Sequence, residues 1–441
     1  MKRYATVSIG FLLIAFSLVC RSQTIPDSVL QQASLPDCIR YALKHQPALQ
    51  QALLDEAITE RQIQGKLADW YPQLGLNYNY QYNFQLPSAY FSGNIVKTGI
   101  KNTSTLGVSA TQNIFNRDVL LASRTAGDVR KQYKQATAET QIDIVVNVSK
   151  AFYDVLLAQK QIDLLNDDIT RLEGSFKNAY DQYQGGIVDK TDYKRATISL
   201  NNSKAEKRTT EEALKSRLAY LKQQMGYLAG NEITLVYDSA QLMNEISVDT
   251  AAGVKYDNRI EYQLLQTRKR LQVANLQYNK WDYYPTLSAF GTYNLGGYFS
   301  NDFGKLYANN YPNSFAGLQL SFPIFQGGKR LQNIRAAELQ VKRVDWDIVA
   351  LQTSINTEYV QAMAGYKSNL NQYFVLKDNL ALAQEVYNTI QLQYKAGIKT
   401  YLDVIIAESD LRTSQVNYTN ALYQVLSSKL DVQKALGDIR Y

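Results

Sequence analysis

The chain has 441 residues, 45% hydrophobic and 20% charged, with a formal net charge of +7. Such a composition can bury a core and is not that of a disordered chain, while a mean hydropathy of −0.31 argues against a bundle of membrane-spanning helices. One histidine and two cysteines argue against a zinc centre, a disulfide framework and catalysis by clustered histidines.

Lys2 and Arg3 precede an apolar run from Gly10 to Val19, and Cys-Arg-Ser-Gln follows. This order predicts a secretory signal over 1–22, cut before Gln23. The run is too short to span a bilayer as a helix. Cys20 is a competing lipidation position, but bulky Val19 stands where that processing wants a small residue. Removing 1–22 takes away Lys2, Arg3 and Arg21 and no acid, so the net charge falls to +4. That is weak support for nucleic-acid binding.

An amphipathic helix carrying Cys38 and His45 comes next, and both residues read as structural. From Leu74 to Phe84 the even positions are Leu, Leu, Tyr, Tyr, Tyr and Phe, and the odd ones Gly, Asn, Asn, Gln and Asn. This strict alternation predicts a strand. Leu106, Val108, Ala110 and Ile114 alternate in the same way, as do Ala316, Leu318, Leu320, Phe322 and Ile324. A fourth strand over 286–295 is the weakest, because Phe290 falls on its polar side. Polar loops bearing aromatics are expected at 85–103 and 297–313.

No proline occurs between Pro87 and Pro285 or after Pro323, and those stretches are rich in Ala, Leu, Gln, Lys and Glu. Long helices follow, since nothing interrupts the hydrogen-bond ladder. A helix over 118–184 would be about 100 Å long. Leu214, Leu218, Leu221, Met225 and Leu228 have coiled-coil spacing. Gly185–Gly186 and Gly397 mark the turns of two antiparallel helical hairpins.

Three landmarks recur. Tyr71–Pro72 returns as Tyr284–Pro285, QYQGGIVDKTD at 182–192 as QYKAGIKTYLD at 393–403, and LKQQMGYL at 221–228 as VQKALGDI at 432–439. Their constant order predicts an internal duplication. A first repeat spans 23–228, with a β-hairpin at 72–115 and a helical tip near 185–190. An inter-repeat segment covers 229–257. A second repeat spans 258–441, with a β-hairpin at 285–325 and a helical tip near 396–400. The expected fold class is mainly α with a small β part, transmembrane if the strands belong to a barrel.

The alternating strands have two readings: a sheet with one face on a core, or barrel strands with an apolar face to lipid and a polar face to a lumen. Their length and the secretory signal favour the barrel. Four strands cannot close a barrel, and an open edge is prohibitive in lipid. A dimer would supply eight strands and a trimer twelve.

The order of signal, helix, strand–loop–strand and long helical hairpin, repeated once, resembles the TolC family of outer-membrane efflux channels. The resemblance is carried by LPDCIRYALKHQPAL at 35–49, the two Tyr-Pro pairs, LQLSFPIFQGGKR at 318–330, QYKAGIKTYLDVIIAESDL at 393–411 and KALG at 434–437. The first copy departs from it at Asn113–Asp118, which lacks Pro323 and Gly327–Gly328 of the second. That puts the geometry where the chain leaves the barrel in question.

The resemblance implies a homotrimer in the Gram-negative outer membrane. Four strands per protomer would enter a twelve-stranded barrel set in lipid, above a helical periplasmic tunnel. A mixed equatorial region would hold 229–257 and the C-terminal residues. It implies a passive duct, neither an enzyme nor a cofactor protein, partnered by a periplasmic adaptor (membrane fusion) protein and an inner-membrane transporter of the RND or ABC type. Asp403 matches an aspartate that rings the family's entrance, though Ile406 replaces the second one. Tyr394 and Lys399 match residues that tie the entrance shut against a pair matched by Thr191 and Asp192. Gly186, Ile187, Gly397 and Ile398 mark the tips expected to meet the adaptor. Thr400-x-x-Asp403 is equally a capping box. The alternative is a secreted or periplasmic coiled-coil protein without a pore, which leaves the strands unexplained.

Overall fold

The structure, a computed structural model, describes residues 32–186, 189–237, 246–249 and 253–440. The expected signal 1–22 lies outside them. Ser34 opens the first helix, α1 (Leu35–His45), with a capping box to Asp37. Pro47 then restarts the chain as α2 (Pro47–Ala68). The residue before a proline is driven out of the helical region, and Gln46 is extended (φ −63°, ψ 121°).

The proline-free stretches form the two longest elements, α3 (Arg117–Gln184, 68 residues) and α6 (Lys329–Lys395, 67 residues). Each turns back into a helix of 36 residues, α4 (Lys190–Met225) and α7 (Tyr401–Leu436). Helix α5 (Ile260–Lys280) is the second-repeat counterpart of α2. Among the described residues no helix is long and apolar enough to cross a membrane.

The two repeats share one joint. Helix α4 ends at Gly226 (φ +66°) and α7 at Gly437 (φ +73°). A Cβ on Gly226 would stand 2.7 Å from the His45 carbonyl oxygen, just before α2, and one on Gly437 would stand 2.8 Å from the Asn258 carbonyl oxygen, just before α5. Each short helix therefore ends against the start of another, and the pair lines one long helix. The joint needs glycine twice over, for left-handed backbone and for close approach. Gly226→Ala and Gly437→Ala should each destabilise the protein by about 1–3 kcal/mol, read as a lowered melting temperature. An unchanged melt in either would refute the joint.

The seam meets this joint. Leu221 and Met225 are fully buried, with Leu214 and Leu218 packed beside them. Leu228, expected in the same seam, is exposed, because the helix has already stopped at Gly226. The core lies at this height. Cys38 and Tyr41 of α1, Phe152 and Leu156 of α3, Tyr366 of α6 and Val425 and Leu426 of α7 pack together. Two-residue strands β1 (Gln32–Ala33) and β6 (Thr234–Leu235) pair in parallel beside it. The Tyr366 hydroxyl donates to the Ile246 carbonyl and accepts from the Val248 amide, fastening part of the inter-repeat segment to α6. His45 stacks on Tyr41 at 4.2 Å. Cys38 is buried, which pushes its thiol up to about 12 and leaves it unreactive.

Strands form at all four expected places, but the first stops at Tyr82, short of Phe84, and the last at Ser321, short of Phe322 and Ile324. β2 (Gln73–Tyr82), β5 (Asn102–Phe115), β7 (Thr286–Ser300) and β8 (Asn313–Ser321) make an antiparallel sheet in the order β2-β5-β7-β8. Strand β7, expected to be the weakest and to end at 295, is the longest at 15 residues. A bulge lets it continue: Leu106 faces Gly296 while Gly107 faces Asn294, so Leu295 is the extra residue. Phe290 is accommodated by register. It pairs with Gly317, its ring covers that glycine, and it meets the Phe315 ring at 6.3 Å. The loop expected over 85–103 contains a ribbon, β3 (Ser88–Phe91) with β4 (Asn94–Lys97). The second loop folds back on the sheet through buried Leu306 and the Tyr307 hydroxyl, 3.2 Å from that of Tyr78.

The two exits from the sheet differ, as the sequences of the two copies do. β5 passes straight into α3, with Asn116 accepting from the Asp118 amide. After β8, Pro323 and the left-handed Gly327 and Gly328 turn the chain into α6.

Candidate functional site at the hairpin tips

Helix α3 ends at Gly185 and Gly186 (φ +70°), and α6 at Ala396 and Gly397 (φ +74°). At the second tip the Gly397 amide returns to Tyr394 and the Ile398 amide to Gln393, which satisfies the last helix carbonyls. Ile398 is left 72% exposed at the apex. Ile187 lies outside the described residues.

The chain re-enters each hairpin through a cap. Asp189 accepts from the Thr191 amide and places Thr191 and Asp192 in the first turn of α4. At the other tip the capping box is fully made. The Thr400 amide and hydroxyl donate to Asp403 Oδ2 at 2.9 and 2.8 Å, and the Asp403 amide donates to the Thr400 hydroxyl at 3.3 Å. The Thr400 hydroxyl, the Thr400 amide and the Lys399 charge hold the Asp403 carboxyl below its usual range. Asp403 is therefore a solvent-facing anion and a helix cap at once.

Within the protomer two of these residues have other partners. Tyr394 donates to Gln182 Oε1 at 3.0 Å, not to Asp192. Lys399 Nζ stands 3.9 Å from Asp403 Oδ1, not against Thr191 or Asp192. Both side chains are partly exposed, so this pair contributes little to stability. Asp192 still acts through space. Burial raises the Tyr394 phenol, Gln182 pulls it back, and the Asp192 charge raises it again.

Tyr401 binds the two hairpins together more firmly. It is buried with Ala179 of α3 and Ala196 of α4, inside a ring of Phe176, Tyr193, Tyr394 and Ile405. Sequence inspection passed over it, as it did Gln182. Two turns along α7 is a second group that it missed, where Glu408 is buried near Asp168 and Arg171 of α3. The signal was present: Tyr401, Val404, Glu408 and Leu411 follow helical spacing, which puts a glutamate on the buried stripe.

The chain matches the outer membrane efflux protein family over residues 38–227 and 261–438, one match in each repeat. The chain belongs to that family. Outer membrane efflux proteins are channels rather than enzymes, and this one is an outer-membrane protein of the TolC type. It is 24% identical to outer membrane protein TolC of Escherichia coli, across 100% of this chain and 87% of that one. It is 23% identical to the toluene efflux pump outer membrane protein TtgC of Pseudomonas putida, across 89% and 83%. Its fold is that of the outer membrane protein VceC of Vibrio cholerae, with a TM-score of 0.73 and 16% identity over 91% of this chain and 96% of VceC. The helical hairpins are the tunnel part of such an efflux protein, and the four-stranded sheet is its share of a barrel.

Proposed function

We propose that three copies of this chain close a twelve-stranded barrel and act as the passive exit duct of a tripartite efflux or type I secretion system. The observation that carries this is the sheet itself. Among the described residues strands β2 and β8 are both unpaired edges, and Leu74, Leu76, Leu318 and Leu320 on them are exposed. Edges of that kind are prohibitive in lipid unless another chain pairs with them. Three copies joined β8 to β2 leave no edge.

The periplasmic partners are an adaptor that seats on the tips at Gly186, Ile187, Gly397 and Ile398 and, behind it, an inner-membrane transporter of the RND or ABC type. Three copies of Asp403 make a ring of carboxylates at the entrance, and such a ring favours cations. The tip is held within each protomer by Tyr401 and by the Tyr394–Gln182 bond.

Mass measurement in detergent should give a trimer, and a stable monomer would sink the proposal. In planar bilayers the trimer should conduct with a preference for cations. Asp403→Asn should weaken that preference and any block by polyvalent cations. An unchanged preference would move the selectivity ring elsewhere on the helices.

A further inference from the structure

Behind the tip, three helices meet around charges that the duct itself does not require. Asp168 on α3 accepts from Arg171 Nη2 at 3.2 Å and from the Ser203 hydroxyl of α4 at 2.7 Å. Arg412 of α7 donates to the same hydroxyl at 3.0 Å, and stands 3.7 Å from Asp168 Oδ2 and 3.5 Å from Glu206 of α4. Glu408, one turn before Arg412, faces Arg171 Nε at 3.5 Å. Asp168, Ser203 and Glu408 are 1%, 0% and 4% exposed. A cavity of about 200 Å³ lies beside them, lined by Asp168, Ser203, Ile405, Glu408, Ser409 and Arg412.

Asp168 and Glu408 are not equivalent. Both oxygens of Asp168 are hydrogen-bonded, whereas Glu408 Oε1 and the Arg171 Nε it faces make no aligned hydrogen bond. A buried charge without full pairing is the one that neutralises first. Helices α3 and α4 form the first hairpin and α7 belongs to the second, so these side chains cross from one hairpin to the other.

We propose that Asp168, Arg171, Glu408 and Arg412 form a clasp between the two hairpins, and that a proton on Glu408 sets how tightly it holds. This rests on the duct proposed above and adds a regulator to its entrance.

The surroundings support the proton's role. Burial and the Asp168 charge push the Glu408 carboxyl up to about 7, with Arg171 and Arg412 pulling back. Glu206 of α4 pairs with Arg412 beside it, and the raised phenols of Tyr387 on α6 and Tyr401 on its own helix, both of which feel the Glu408 charge, stay neutral here. The carboxyl is raised above its ordinary 4.5. Its contribution to packing is therefore full below about 4.5 and is lost as pH rises through about 7. The clasp tightens in acid and loosens in alkali. Asp403, held low, does not titrate in that window.

Two measurements test it on the full-length protein. Amide exchange of residues 401–412 in detergent, corrected for intrinsic rates, should speed up as pH rises, with a midpoint near 7. Single-channel conductance in planar bilayers should rise with the same midpoint. Glu408→Gln should abolish both transitions and hold the protein in its acid state. Asp168→Asn, which removes the repelling charge, should shift the midpoint downward. It serves as the test if Glu408→Gln does not fold. A transition that keeps its midpoint in both variants overturns the clasp. If no channels form while exchange still titrates with Glu408, the duct fails and the clasp stands.

Discussion

Arg259→Ala should be strongly destabilising, costing about 1–3 kcal/mol, because it removes a buried guanidinium and its hydrogen bonds while Glu261 and Glu358 stay partly open to water. Arg259 sits just before α5 with its side chain 5% exposed. Its guanidinium donates twice to Glu261 at 3.0 Å, once to Glu358 of α6 at 2.8 Å, and once to the Ala435 carbonyl at the end of α7 at 3.0 Å. One side chain thus joins three helices beside the Gly437 joint. Arg259→Lys should recover only part of the loss, since a lysine lacks the planar fork. The melting temperature in detergent reads the effect, and a wild-type melt for Arg259→Ala would refute the assignment.

The same pair has a pH signature. Burial raises the Glu261 carboxyl, but the hydrogen bonds and charge of Arg259 more than offset this and hold it below 4.5. A depressed carboxyl stabilises the folded state above its unfolded pKa, and that contribution is lost as pH falls through the folded value. Wild type should lose stability below about pH 4.5, and Arg259→Ala should lose that part of the acid dependence. This runs opposite to Glu408, so the two are separable by pH alone.

Leu76→Lys should prevent assembly where Asn77→Lys does not. Leu76 points from β2 with its neighbours Leu74 and Tyr78, all exposed, and pairs with Val108 on the same apolar face. Asn77 lies on the opposite face and donates to the Ser109 hydroxyl at 2.9 Å. A lysine at the bilayer midplane costs about 2–4 kcal/mol, and the cost recurs in every copy of the barrel. The yield of trimer extracted from outer membranes is the measurement. Equal yields for the two variants would reverse the assigned faces.

The architecture was legible because its signals are periodic. The proline-free stretch and its glycine turn gave α3 to within a residue of its start, the second long helix was expected without bounds, and alternation placed the four strands. What was illegible depended on partners distant in sequence. The bulge at Leu295 and the lodging of Phe290 over Gly317 are properties of register, which no single strand carries. Leu228 kept the heptad spacing, but Gly226 had already ended the helix. At the tips, Asp403 was correctly seen to fit a capping box. Within the protomer Lys399 lies beside Asp403, four residues on, while Tyr394 donates across the hairpins to Gln182, a partner the sequence does not single out. Glu408 was visible only as a charged residue on a buried stripe, and its neighbours lie some two hundred residues away.

The matched lengths of the helices make the molecule a gauge. Each residue advances a helix by about 1.5 Å, so covalent counting, not any contact, sets the distance from sheet to tip. Helices of 68 and 67 residues, returning through two of 36, keep the two tips level. Two extra heptads in every arm would lengthen the molecule by about 21 Å and preserve the seam. The same insertion in one hairpin would part Tyr394 from Gln182 and leave the tips at unequal heights. The reach of the helices from sheet to tip is thus written in this chain as a residue count, and a longer reach would need a longer count rather than new chemistry.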